Sequence, residues 1–298
     1  MHTFVIVTSE KDNQEYVLDG TMNTIIEKET YFKLFDVKII SDIPKKEFYH
    51  IDMVELRADL LERSELQNVR LFPSMIEVPA ILTCRMPADG GSWSGDEESR
   101  RKLILESLNS PSQKKFAYID LEFGFDDREI EAAAKKSKVQ IVRSIHDFKS
   151  DIDDIASLAR AIRSQSGEIV KIAVMPNSPK EVKNLILAGE KCRDIKHVFC
   201  AMGPLGLASR VLAAKSRSQW TYASLSGLQK IGHLTPGELV RKYRFRAITA
   251  ATEVVAAQKE DIETLNMSYS LNDEDKVALP EEAVCKDVDS EQILAAMK

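Results

Sequence analysis

Short apolar or β-branched runs recur along the chain, separated in most cases by longer stretches with helical patterning. They are FVIVT (4–8), DMVELR (52–57), AILTCR (80–85), AYIDLE (117–122), VQIVRS (139–144), IVKIAVM (169–175), HVFCAM (197–202) and WTYASL (220–225), and each predicts a strand. The intervening segments carry helix-start signals. Asp96 precedes EESRRKLILESL and Ser150 precedes DIDDIASLARAI, while Ser178, Pro179 and Glu181 supply a cap, a first-turn proline and a capping-box acid before VKNLIL. Thr235, Pro236 and Glu238 repeat that device. Strands alternating with helices at this interval imply crossover units and a parallel sheet, and eight units in about 250 residues are what a (β/α)8 barrel requires. The predicted architecture is α/β, a (β/α)8 TIM barrel forming a single domain over residues 1–250. At the N-terminus, LFDVKIIS (34–41) competes with FVIVT for the role of first strand. A doubly wound sheet would need a glycine-rich phosphate turn after that strand; VTSEKDN contains no glycine, and no Walker sequence occurs.

Composition separates the body from its end. Residues 251–298 hold 12 acidic side chains against 4 lysines, whereas residues 1–250 hold 37 basic against 35 acidic. The pattern decays beyond Ala257, so 251–298 is expected to be an acidic extension, partly helical or disordered. A near-neutral body without a Lys/Arg stripe among aromatics excludes nucleic acid as a partner. With 298 residues, 44% of them hydrophobic, the chain can bury a large core and needs no disulfide scaffold. Cys84, Cys192, Cys200 and Cys285 form no CxxC pair, which argues against a thiolate metal site and fits a reducing, cytoplasmic setting. MHTFVIV is too short to span a bilayer and has no basic leader, so no membrane role is expected.

Strands buried in a barrel should be almost wholly apolar, yet these carry ionisable groups within or just after their apolar runs. Glu55 and Arg57 are two apart and share a face, as do Asp120 and Glu122. Arg85 closes the third run, His146 follows the fifth, Lys171 sits inside IVKIAVM, and Arg210 follows the seventh. Singly, each has an ordinary explanation: an exposed gatekeeper lysine, a surface histidine, a simple salt bridge. Together, at the carboxyl ends of several strands, they mark the face where a barrel carries its active site. Burying so many charges costs several kcal/mol per ion before pairing, which a polar pocket explains better than packing does.

A lysine in such a pocket has a specific use. At its reference value near 10.4, only about one molecule in a thousand is the neutral amine at pH 7.4; desolvation and neighbouring guanidinium groups enlarge that fraction. The amine attacks a ketone or aldehyde to form an imine, an electron sink that acidifies the adjacent C–H, and a histidine on the next strand can take that proton. Dehydration or aldol chemistry follows, without metal or cofactor. Arg85 and Arg210 suit a substrate carboxylate, which a guanidinium fork binds bidentately.

The series MVELRADLLE, ILTCRMPADGG, YIDLEF, IVRSIHDF, VKIAVM, MGPLGLASRVL and TYASL resembles the type I 3-dehydroquinate dehydratases of the shikimate pathway, over roughly residues 50–246. The resemblance implies a (β/α)8 barrel, usually homodimeric, that converts 3-dehydroquinate to 3-dehydroshikimate and water through a lysine imine. On that pattern Lys171 forms the imine, and His146 takes the C2 proton and then assists the leaving C1 hydroxyl. Asp89 stands where the family commonly has the glutamate that orients this histidine. Glu55, Arg57 and Arg85 hold the ring hydroxyls, Arg210 clamps the carboxylate, and Met202 and Tyr222 supply apolar walls. The small-molecule substrate is the only partner besides a second copy of the chain.

The chain departs from the family in its lid. Where the family reads close to SAPGQ, this sequence has QKIGHL, with no serine and with His233 at the glutamine position. A lid that excludes water often governs turnover. The change therefore defines an alternative, a catalytically weakened ligand-binding or regulatory barrel of the same family. An aldolase-like barrel with another keto acid is a third. In plants and some bacteria the dehydratase barrel of this family is fused to shikimate dehydrogenase after a helix like YRFR (243–246); the resemblance implies either the dehydratase part of such a fusion, lost or cut short, or an acidic tail that belongs to this branch alone.

Overall fold

A computed structural model describes residues 3–8, 51–149, 154–162, 167–224, 234–254 and 276–277. All eight predicted strands are present: β1 Thr3–Thr8, β2 Met53–Arg57, β3 Ala80–Thr83, β4 Tyr118–Glu122, β5 Gln140–Asp147, β6 Ile169–Val174, β7 His197–Ala201 and β8 Trp220–Ser224. Between them lie α1 Phe72–Met75, α2 Glu97–Leu108, α3 Arg128–Ser137, α4 Ile155–Ile162, α5 Pro179–Lys191 and α6 Leu207–Val211. This is the element order of the parallel (β/α)8 class. The chain divides into two compact units, residues 6–142 and residues 1–5 with 143–298, so that β1 and β5 each begin in one unit and end in the other.

In the unit of residues 6–142, β2 pairs with β3 and β3 with β4, all parallel. The register sets Arg57, Thr83 and Asp120 abreast on three neighbouring strands. Every residue of β3 is buried. Helix α2 starts as its sequence predicts, with the Asp96 side chain accepting from the Ser99 N–H at 2.8 Å. Helix α3 has the same device in Asp127, which accepts from the N–H groups of Glu129 and Ile130. It ends at Lys138 in the left-handed region at φ 59°, a non-glycine terminus that costs some strain.

In the other unit, β6 pairs in parallel with β7, and Lys171 lies beside Val198. Ser178 and Glu181 form the predicted capping box at the start of α5: the Glu181 N–H donates to Ser178 Oγ at 3.4 Å, and the Glu181 carboxylate accepts from the Asn177 N–H at 2.9 Å. Thr235 and Glu238 bond reciprocally in the same way, but the turn they open continues as a five-residue π-helix, Glu238–Lys242. Helix α4 begins at Ile155, and Asp154 accepts from the Ser157 N–H at 3.0 Å. Asp154 thus makes the start that the sequence assigned to Ser150, which lies outside the described residues together with the 34–41 run. Of 251–298, only 251–254 and 276–277 are described, and there Glu253–Val254 pairs in parallel with Lys276–Val277. No helix among the described residues is long and apolar enough to cross a membrane.

Candidate active site

Two groups of ionisable side chains, one in each unit, occupy the positions that the sequence singled out. In the unit of residues 6–142, Glu55 is 1% exposed in the middle of β2, and Arg57 ends the strand half-buried. The Arg57 fork is already engaged: Nε donates to Asp59 Oδ1 at 2.9 Å and Nη2 to Oδ2 at 2.7 Å. Asp59 also accepts from the Ser92 N–H at 2.9 Å, tying the turn after β2 to the loop after β3. Burial pulls the Asp59 carboxyl upward, but hydrogen bonding and charge from Arg57, with the Ser92 N–H, outweigh it and hold it below its ordinary value.

Arg85 and Asp120 form a buried pair at 3.0 Å. Glu122 accepts from Arg100 of α2 at 2.5 Å and from the Met86 N–H at 2.9 Å. Arg100 also reaches the Cys84 carbonyl at 3.0 Å and lies over the Phe125 ring. The two carboxylates of β4 therefore hold arginines and the β3 loop, a structural duty. That loop turns tightly: Gly91 passes so close to Arg85 that a Cβ there would stand 2.0 Å from its carbonyl oxygen. Asp89 sits on it, half-exposed, in the short turn Pro87–Asp89, with its N–H donating to the Met86 carbonyl.

Asp59 was not among the sequence's candidates, although its place two residues beyond Arg57 was a signal for it. Because its native value is depressed, its contribution to stability is complete above the ordinary carboxylate range and is lost as pH falls through the native value. Asp59→Asn is expected to cost about 1.5–3 kcal/mol at pH 7, as for a hydrogen bond to a charged group. Urea unfolding at pH 7 and pH 3 should show the difference between the two proteins shrinking at the lower pH.

In the second unit, all six residues of β6 are buried and Lys171 is 3% exposed. Its Nζ lies 4.6 Å from the centroid of the Tyr222 ring on β8, itself buried. The structure thus brings two of the predicted site residues together, with an aromatic face against the amine. His146 is the penultimate residue of β5 and half-buried; one residue on, the Asp147 carbonyl accepts from the Met175 N–H at 2.8 Å, joining the ends of β5 and β6.

Arg210 is 2% exposed on α6. Burial pulls its guanidinium downward in pKa, against opposing influences from Cys200 and Tyr222. Ser209 positions this helix: its Oγ accepts from the Ala201 N–H of β7 at 2.8 Å and donates to the Gly206 carbonyl at 2.7 Å. The MGPLG turn that delivers it needs its glycines, since Gly203 has φ 70° and a Cβ on Gly206 would lie 2.1 Å from the Ala201 carbonyl oxygen. Met202, half-buried, donates its N–H to the Val174 carbonyl at 2.7 Å. His233 lies outside the described residues.

The sequence also passed over Arg143 and Glu168, a buried pair at 3.1 Å. Arg143 falls three residues before His146 on β5, and nothing in the local pattern announced that its partner would be the residue preceding β6. Cys84, Cys192 and Cys200 are buried free thiols, and burial pushes Cys84 and Cys192 up, away from the thiolate form a metal would need. Among the described residues no group of three or more His, Cys, Asp or Glu could hold a metal ion.

A parallel α/β frame with a buried lysine on its sixth strand, and with charge pairs at the ends of its second to fourth, defines an enzyme of the barrel class. The model of the type I 3-dehydroquinase family matches residues 36–250, and the chain belongs to that family, whose members are hydro-lyases. It is 30% identical over 198 residues to the 3-dehydroquinate dehydratase of Methanococcoides burtonii, a match covering 63% of this chain and 82% of that protein. It is 26% identical over 224 residues to the bifunctional 3-dehydroquinate dehydratase/shikimate dehydrogenase of Arabidopsis thaliana, covering 73% of this chain and 36% of the relative. Among solved structures, the 3-dehydroquinate dehydratase from Geobacillus kaustophilus has the same fold, with a TM-score of 0.60 at 23% identity, over 68% of this chain and 82% of that one.

Proposed function

We propose that the chain dehydrates 3-dehydroquinate to 3-dehydroshikimate through an imine on Lys171. The observation that carries this reading is the lysine itself: a primary amine, 3% exposed, on a strand with no other ionisable residue. A gatekeeper lysine would keep its amine in water; this one is withdrawn from it. His146, at the end of the neighbouring strand in sequence, serves as general base for the C2 proton and then as acid for the departing C1 hydroxyl. Asp89 orients His146; Glu55, Arg57 and Arg85 hold ring hydroxyls; Arg210 pairs with the carboxylate; Met202, Tyr222 and His233 complete the surroundings. These roles rest on the family pattern. So does a homodimer, whereas a cytoplasmic setting rests on the cysteine spacing, and a barrel over 1–250 with an acidic extension over 251–298 rests on strand–helix alternation and charge composition.

Ultraviolet absorbance of the conjugated enone measures the activity directly. Borohydride added during turnover is expected to leave a stable mass on the peptide containing Lys171, and a protein showing neither enone nor adduct would refute the reading. His146→Ala is expected to lower kcat by about 10²–10⁴-fold while the Lys171 adduct still forms, because the base acts after the imine. The QKIGHL segment favours one other reading, a ligand-binding barrel with a weakened lid. Thermal stabilisation by 3-dehydroquinate without enone formation is its mark.

A further inference from the structure

Tyr222 does more than wall the site. We infer that its ring face is a catalytic element that stabilises the positive charge on Lys171 Nζ when that nitrogen is part of the protonated imine. The inference rests on the proposed imine chemistry and goes beyond it by assigning the group that supports its cationic intermediate.

The geometry is direct. Lys171 Nζ stands 4.6 Å from the Tyr222 ring centroid, inside the distance of roughly 6 Å at which a ring quadrupole attracts a cation. The side chains are 3% and 4% exposed, so water competes little for the charge. Each belongs to a strand, Lys171 to β6 and Tyr222 to β8, and strands hold their side chains more rigidly than loops do.

The charge follows the reaction. The lone pair of the free amine adds to the ketone carbon; one Nζ proton and one proton from solvent go to the carbonyl oxygen, which leaves as water. The nitrogen lone pair then forms the C=N bond, and Nζ carries the positive charge. No redox partner is required. The cation is the electron sink for removal of the C2 proton, so a group that favours it in place acts on the reacting nitrogen itself.

Graded fluorination of the ring tests the assignment, since each fluorine weakens the negative face while changing size little. The full-length Tyr222→Phe protein is the parent, and phenylalanine carrying one, two or three ring fluorines is introduced at the same position. The readouts are kcat with 3-dehydroquinate and the fraction of Lys171 trapped by borohydride during turnover. Both are expected to fall stepwise with fluorine number, and Tyr222→Leu to lose roughly thirtyfold in kcat, the size of a desolvated cation–π contact of about 2 kcal/mol. Thermal melting of the fluorinated series should stay level, because a purely structural role depends on shape. A series flat in both readouts, or a Tyr222→Leu protein as active as Tyr222→Phe, overturns the role of the ring while leaving the imine intact. Wild-type protein that gives neither adduct nor enone overturns the imine and this inference together.

Discussion

Lys171→Met is expected to lower kcat for 3-dehydroquinate by roughly 10⁴–10⁶-fold, the scale on which loss of a covalent nucleophile is felt, and to abolish the borohydride adduct. Methionine is chosen because its unbranched chain refills most of the volume of a side chain enclosed in a strand whose six residues are all buried. It also keeps an unbranched side chain beside the Tyr222 ring, so the melting temperature should change little. Loss of turnover with an unimpaired fold locates the chemistry at Nζ. Retention of even a hundredth of the wild-type rate would remove Lys171 from the mechanism.

The second large effect is on stability. Glu168→Ala is expected to cost about 3–5 kcal/mol, because it takes an ion-pair partner from Arg143, whose side chain is 1% exposed. Urea unfolding measures it, and a loss below about 1 kcal/mol would mean that the interior around Arg143 is wetter than its exposure implies. Replacing both partners with apolar residues, Arg143→Met with Glu168→Leu, should recover much of the loss, since the double variant leaves neither charge of this pair buried without the other. Glu168 immediately precedes β6, three residues before Lys171, and Arg143 lies on β5, so activity measured in parallel separates a fold-stabilising role from a catalytic one.

The strands were legible because their runs combine β-branched residues with turn formers on either side, a signal that survives without knowledge of neighbours. The helix starts were legible because a cap is a local bond: Asp96 to Ser99 and Ser178 to Glu181 span three residues. The exact start of α4 was missed by the same logic, since several Asp and Ser residues precede it and any could cap. Glu238 was recognised as a capping-box acid, yet the turn widened into a π-helix, which no three-residue signal specifies.

Among the charges, the sequence identified that Glu55, Arg57, Arg85, Lys171 and Arg210 are out of place in apolar runs. It did not identify who would meet whom. Asp120 and Glu122 looked alike at a spacing of two, but Asp120 takes Arg85, 35 residues away, while Glu122 takes Arg100 from α2. Asp59, which was not among the sequence's candidates, holds both Arg57 and the β3 loop.

By itself, the sequence determined the alternation of strands and helices, the caps that begin α2 and α5, and the presence of ionisable groups where apolar ones belong. All of these follow from local periodicity and from the cost of burying charge. Only the tertiary structure decided which carboxylate neutralises which arginine, that Arg143 is buried against Glu168, and that the amine of Lys171 lies on the face of Tyr222. Apart from Arg57 with Asp59, those choices join residues 22 to 51 positions apart. They depend on strand register and on the close approach of backbones, which no short window of sequence contains.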